Sequence, residues 1–242
     1  MAIHSIYLES DTPLILGELV IHGDEAQHAA RVKRVGAGDT VRVMDGSGHI
    51  ASAAVLRAGK SSRGEWQLAV RVDSVVEAPR TIPHLRVFSA APKGSRLADL
   101  IDGLSQVGAA SWSLLRTRRG EVDPRPGKLE RLERTALEAC KQSGRAWRLE
   151  IGADVALSEA VKAGPGVHVV MADASGEPYR RSDAKAVDLL IGPEGGWTPE
   201  ELAAAGAANV RIARFGPHVM RIETAAVVAA GIILDTEACI ER

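Results

Sequence analysis

Leu189-Leu190-Ile191-Gly192-Pro193-Glu194-Gly195-Gly196-Trp197-Thr198-Pro199-Glu200-Glu201-Leu202 carries the clearest structural instruction in this chain. Its opening residues finish an apolar run, 187–191, of the kind found in parallel strands buried on both faces. The Gly-Pro-Glu-Gly-Gly that follows breaks the strand. Thr198 then has the chemistry of a helix N-cap, Pro199 suits the first helical position, and Glu201 stands where it completes a capping box. The segment therefore reads as strand, glycine-rich loop, helix. Ligands of α/β sheets bind beyond the carboxyl ends of strands, and glycines let a backbone approach a ligand closely. From loop chemistry alone, a tight turn that holds nothing is an equally good reading.

A second loop of similar build lies downstream. Phe215-Gly216-Pro217-His218-Val219-Met220-Arg221-Ile222-Glu223-Thr224-Ala225-Ala226 follows a short strand, 210–213, and opens a helix over 222–237 rich in Ala, Val and Ile. Two glycine-bearing loops at strand ends could face each other across one pocket. Glu223 falls in the first helical turn, where an acid complements the helix dipole; that ordinary role competes with a chemical one. Upstream, apolar strands at 85–90, 112–117 and 167–171 alternate with helical stretches at 96–107 and about 128–143. This predicts an α/β domain with a mainly parallel sheet.

The pattern changes across Ala78-Pro79-Arg80-Thr81-Ile82-Pro83. Before it come short strands at 5–8, 14–21, 40–44, 49–57 and 66–76, separated by turns such as Asp45-Gly46-Ser47-Gly48, with one helix over 24–34. Such spacing predicts a small β-barrel. The expected division is a barrel at 1–78 and an α/β domain at 83–242.

Composition narrows the function classes. The 242 residues are 45% hydrophobic and 25% charged, ordinary for a globular protein, and only 3% aromatic, so the core must be built from Ala, Val, Leu and Ile. Cys140 and Cys239 form no CxxC pair, which argues against a disulfide framework or a cysteine-ligated zinc and for a reducing, cytoplasmic setting. The first residues lack a secretory pattern, and the longest apolar run, 225–234, is too short to span a bilayer. The seven histidines are scattered with no HExxH, so no metal is expected. P-loop, GxGxxG and GxSxG motifs are missing too. Net charge is −1, but its distribution is uneven: residues 83–150 hold 13 Lys and Arg against 8 Asp and Glu, whereas residues 151–242 hold 8 against 13. A basic middle is compatible with phosphate contact. A solvated helix face, with Glu130, Glu133 and Glu138 interleaved, accounts for some of those arginines equally well.

The combination of IGPEGG, a helix, and FGPxxxRxETAA resembles the SPOUT methyltransferases, specifically the RsmE-type 16S ribosomal RNA uracil-N3 methyltransferases. The resemblance extends to Pro92-Lys93-Gly94 before a helix and to Cys140-Lys141-Gln142-Ser143-Gly144-Arg145. It also reaches His28-Ala29-Ala30-Arg31-Val32-Lys33-Arg34-Val35, which is similar to the family's PUA-like N-terminal domain. It implies a trefoil-knotted SPOUT domain behind a PUA-like β-barrel, a homodimer, and S-adenosylmethionine as methyl donor. By position, the donor would lie against Met171, Ala172, Leu190, Ile191, Gly192, Pro193, Gly195, Gly196, Phe215, Gly216, Pro217 and Met220. Arg221 would act electrostatically, since its guanidinium stays charged, and Glu223 would be the nominal proton acceptor. The RNA partner, 16S ribosomal RNA or the small ribosomal subunit, would meet Arg31, Lys33, Arg34, Lys93, Arg116, Arg118, Arg119, Gln142 and Arg145, with Arg125, Arg131, Arg134 and Arg148 nearby. Two other readings compete: a ribose 2′-O-methyltransferase of the same class, and a non-catalytic RNA-binding assembly factor.

Overall fold

The computed structural model describes residues 4–8, 12–120, 127–162 and 164–238. The chain forms two compact units, one comprising Met1–Arg80 with Cys140–Arg148, the other Thr81–Ala139 with Leu149–Arg242.

In the first unit, β1 (His4–Tyr7), β2 (Gly17–His22), β3 (Thr40–Met44), β4 (His49–Lys60) and β5 (Trp66–Glu77) form one sheet in the order β1-β3-β4-β5-β2. The pair β1 and β3 is parallel, and the remaining ladders are antiparallel. Alternating side chains, among them Leu19, Ile21, Val41, Val43, Leu68 and Val70, turn inward to a core of small and branched residues. The predicted helix over 24–34 forms in two pieces, α1 (Gly23–Gln27) and a π-helical turn (His28–Val32), and the left-handed backbone of Arg34 (φ 55°) ends it. Cys140–Arg148 belongs here because its backbone is stitched to the sheet's loops: Gly48 N–H donates to the Ala146 carbonyl (3.0 Å) and Arg148 N–H to Gly46 (2.9 Å). The Tyr7 hydroxyl sits between the carbonyls of Cys140 and Arg145. Burial pushes the pKa of both the Tyr7 phenol and the Cys140 thiol upward, which favours their neutral forms.

The second unit is built on β6 (His84–Ser89), β7 (Ser111–Arg116), β8 (Glu150–Ile151), β9 (Val155–Ala156), β10 (Val167–Pro178), β11 (Ala186–Ile191) and β12 (Arg211–Arg214). The helices are α2 (Arg96–Val107), α3 (Gly127–Ser143, whose last residues fall in the first unit), α4 (Leu157–Ala160), α5 (Pro199–Ala207) and α6 (Ile222–Glu237). The sheet runs β12-β10-β11-β6-β7-β8, with β9 also on β7, and every described ladder is parallel. Central β11 explains its own apolar sequence. Leu189 and Ile191 enter the core cluster that holds Leu97, Leu100 and Ile233, whereas Leu190 enters the opposite one with Met171 and Trp197. Both faces are covered, so no residue of the strand can be polar without a partner.

Asp188 is the polar residue of this strand, and it has its partner. It is only 3% exposed, and Arg86, its register neighbour on β6, grips it through Nε and Nη2 at 2.7 and 2.6 Å. The same hydrogen bonds raise the Arg86 pKa. The strands β8 and β9 and the single-turn α4 escape a periodicity search because two to four residues carry no period. β10 outruns its predicted end at 171: the ladder breaks after Ala172 and resumes on β12 at Glu177 and Pro178.

Arg86→Leu leaves the Asp188 carboxylate buried without its donor. Stability falls by about 2–3 kcal/mol, read as a lower urea midpoint with unchanged slope, and Asp188→Asn restores part of it in the double variant.

Candidate active site

The strands β12, β10 and β11 are neighbours and parallel, so their carboxyl ends emerge along one edge of the sheet. That register brings together the residues that follow them: Ala172 and Asp173 at the break in β10, Gly192 after β11, and Phe215 after β12. Between them lies a cavity of about 820 Å³, within the range that takes a nucleoside-sized ligand.

Its wall includes Ala172, Ile191, Gly192, Pro193, Gly196, Phe215, Gly216, Pro217 and Met220, nine of the twelve residues expected there from sequence. Met171 and Leu190 are fully buried behind it and do not line it. Gly195 lies at the loop's outer turn, where its carbonyl accepts a hydrogen bond from Arg119 Nη1 (2.7 Å). The wall also uses residues that the sequence reading did not select, among them Asp173, Trp197 and Ala225. Trp197 is the most consequential of these. Its indole lies against Gly192, where a Cβ would come within 2.8 Å of the ring, and its Nε1–H donates to the Ala172 carbonyl (2.9 Å). One side chain thus joins the break in β10 to the loop after β11. A tryptophan in a tight glycine turn was the available signal.

The loop is held from the helix side as well. Thr198 and Glu201 form the full capping box at the start of α5: Thr198 Oγ1 accepts from Glu201 N–H, and Glu201 Oε2 accepts from Thr198 N–H. Glu201 Oε1 also accepts from the Arg118 backbone N–H (2.9 Å), which ties the segment after β7 to the same place. At Gly196 φ is +69°, a conformation that side chains other than glycine's rarely adopt. Across the cavity, Phe215 is backed by the stacked ring of Tyr179 (5.4 Å), whose hydroxyl donates to buried Glu237 in the last turn of α6.

Arg221 is exposed and is the N-cap residue of α6, between the lining residues Met220 and Ile222. Glu223 is two residues beyond Arg221, 14% exposed in its side chain, with Oε1 3.7 Å from Arg96 Nη1. Its Oε2 is buried and has no hydrogen-bond partner among the described residues. The same Arg96 Nη1 lies 3.5 Å from Glu194 Oε1, and Glu194 lines the cavity.

The basic candidates divide between the units. Arg31, Lys33, Arg34 and Gln142 are exposed on the first, and Arg145 is half-buried there beside Cys140 and Tyr7, where burial lowers its pKa. Lys93, Arg116, Arg118 and Arg119 are exposed on the second, Arg116 in an ion pair with Asp154. Arg131 and Arg134 are exposed on α3, and Arg125 lies outside the described residues. Among the described residues no cluster of three His, Cys, Asp or Glu side chains could hold a metal, and no helix is long and apolar enough to cross a membrane.

A parallel α/β sheet with a glycine-walled cavity at its carboxyl edge has a counterpart among known families: residues 79–234 match the RNA methyltransferase domain, and residues 21–62 the RNA methyltransferase PUA domain. A ribosomal RNA small subunit methyltransferase E from Mycobacterium bovis is 32% identical over 227 residues, covering 88% of this chain and 85% of that one. The chain belongs to this methyltransferase E family of RNA methyltransferases. Two solved structures share the fold over nearly the full length. The probable rRNA-methyltransferase from Porphyromonas gingivalis superimposes with a TM-score of 0.83 at 26% identity, covering 98% of this chain and 99% of that one. A Legionella pneumophila protein solved with bound S-adenosylmethionine does so with 0.77 at 25%, covering 96% and 97%.

Gly192→Val drives the Trp197 ring off the turn. The expected result is a loss of about 1–3 kcal/mol in unfolding free energy, together with a shifted tryptophan emission in the folded state.

Proposed function

We propose that this chain transfers a methyl group from S-adenosylmethionine to N3 of a uridine in 16S ribosomal RNA, using the cavity between the loops at 192–196 and 215–220. The observation that carries this reading is the convergence of those two loops on one nucleoside-sized space in a member of an RNA methyltransferase family. The residues present suit the donor. Gly196 and Gly216 leave the backbone open to a flat adenine, Phe215 and Trp197 supply apolar surface, and the loop amides supply donors. When bound, S-adenosylmethionine supplies an electrophilic methyl group on a sulfonium.

The chain's own residues have three tasks. The loops hold donor and uridine in line, which turns an encounter of two molecules into a near-unimolecular step. Arg221, exposed beside the cavity and permanently charged, stabilises the negative charge that develops on the uracil ring as N3 loses its proton. Glu223 accepts that proton, a role supported by the buried, unpartnered state of its Oε2. The exposed arginines and lysines at 31–34 and 116–119, with Lys93, contact RNA phosphates. The proposal includes a homodimer working in the cytoplasm on 16S ribosomal RNA or on the assembled small subunit.

Nucleoside analysis of 16S ribosomal RNA from a deletion strain tests the reading directly: 3-methyluridine is lost, returns with the wild-type chain, and does not return with Arg221→Ala. A ribose-methylated nucleotide lost in its place would overturn the base assignment. Affinity for 16S RNA falls steeply with salt, and Arg118→Ala lowers the slope of log affinity against log salt by about one, measured by filter binding over a salt series.

A further inference from the structure

Arg96 is the first residue of α2 and belongs to neither glycine-rich loop, yet its side chain touches the surroundings of both. Its Nε donates to the Lys93 carbonyl at 3.1 Å, which fixes the guanidinium over the start of its own helix. The Nη1 end then stands 3.5 Å from Glu194 Oε1 and 3.7 Å from Glu223 Oε1. Glu194 is the central residue of the Gly192–Gly196 turn and lines the cavity. Glu223 is in the first turn of α6, the helix that continues from the opposite loop. One cation therefore bridges the two walls between which the ligand space lies.

We infer that Arg96 is a positioning residue for methyl transfer, a strut whose guanidinium, shared by Glu194 and Glu223, sets the separation of the two cofactor loops. This rests on the reading that S-adenosylmethionine occupies that cavity. The chemistry favours arginine over any other cation. A guanidinium has five N–H donors in a rigid plane, so it can hold a backbone carbonyl and face two carboxylates at once, whereas an ammonium on a flexible stem cannot keep that geometry. Two carboxylates brought to one place would repel each other, and the shared positive charge removes that repulsion. The side chain is 30% exposed, so each contact by itself is modest. The effect comes from joining two segments, one after β11 and one after β12, that the parallel sheet holds on either side of β10 but does not lock together beyond the strand ends.

The test uses the full chain and S-adenosylmethionine itself, with calorimetry for affinity, steady-state methylation of small-subunit RNA for KM and kcat, and thermal melting as a check on folding. Arg96→Gln weakens donor binding about tenfold, and Arg96→Lys weakens it less, by about threefold. In turnover, the KM for the donor rises by a larger factor than kcat falls. Glu194→Gln and Glu223→Gln, read by donor affinity, each weaken binding, and Arg96→Gln combined with Glu223→Gln is no worse than Arg96→Gln alone, because both remove the same bridge. Should Arg96→Gln fail to fold, the two glutamate variants carry the test, since neither alters Arg96. Donor affinity within about twofold of wild type in Arg96→Gln and in both glutamate variants, or losses that simply add in the double variant, overturns the strut. A wild-type chain that binds no S-adenosylmethionine is a different failure, one that removes the proposed function.

Discussion

The parallel pairing of β10 with β11 on one side and β12 on the other is the constraint on which the rest of this molecule depends. Three adjacent strands pointing the same way must discharge their loops along one edge. Nothing else in the chain would bring Ala172, Gly192 and Phe215 together across more than forty residues of sequence. The pairing requires both faces of the sheet to be dry, and the two core clusters meet that demand by taking alternate residues of β11. The buried Arg86–Asp188 pair on the adjoining ladder also marks the register of β6 against β11, since a one-residue slip would separate them.

At the edge itself, order comes from a few side chains that reach between loops. Trp197 joins the loop after β11 to the break in β10, Glu201 joins α5 to the segment after β7, Arg119 holds the Gly195 carbonyl, and Arg96 faces carboxylates on either side. A ligand site made of glycine turns needs such supports, because the residues that leave room for a ligand also lose the most conformational freedom on folding. The polar groups at this edge are mostly satisfied. The unpartnered Glu223 Oε2 is an exception beside the cavity, and an acceptor without a donor there is suited to a ligand that brings one.

The first unit shows a different economy. Its core is built from Val, Ala, Leu and Ile on alternating strand positions, and a distant piece of chain, Cys140–Arg148, completes it through backbone hydrogen bonds and the Tyr7 hydroxyl. No local pattern announces that assignment. Residues 140–148 comprise the end of a long amphipathic helix and the segment that leads to the next strand, and only long-range contact shows with which unit they pack.

By itself the sequence determined the strand–loop–helix reading of 187–202, the capping box and the parallel α/β class, because each rests on short-range rules: burial period, cap chemistry and glycine's freedom to turn. Motif resemblance went further and marked the family. Tertiary structure alone decided that Met171 and Leu190 stand behind the wall, that Trp197 closes on Gly192, and that Arg96 lies between Glu194 and Glu223. Those facts depend on which strands are neighbours and on how individual side chains settle against one another in three dimensions. Residue spacing along a chain carries no measure of such distances.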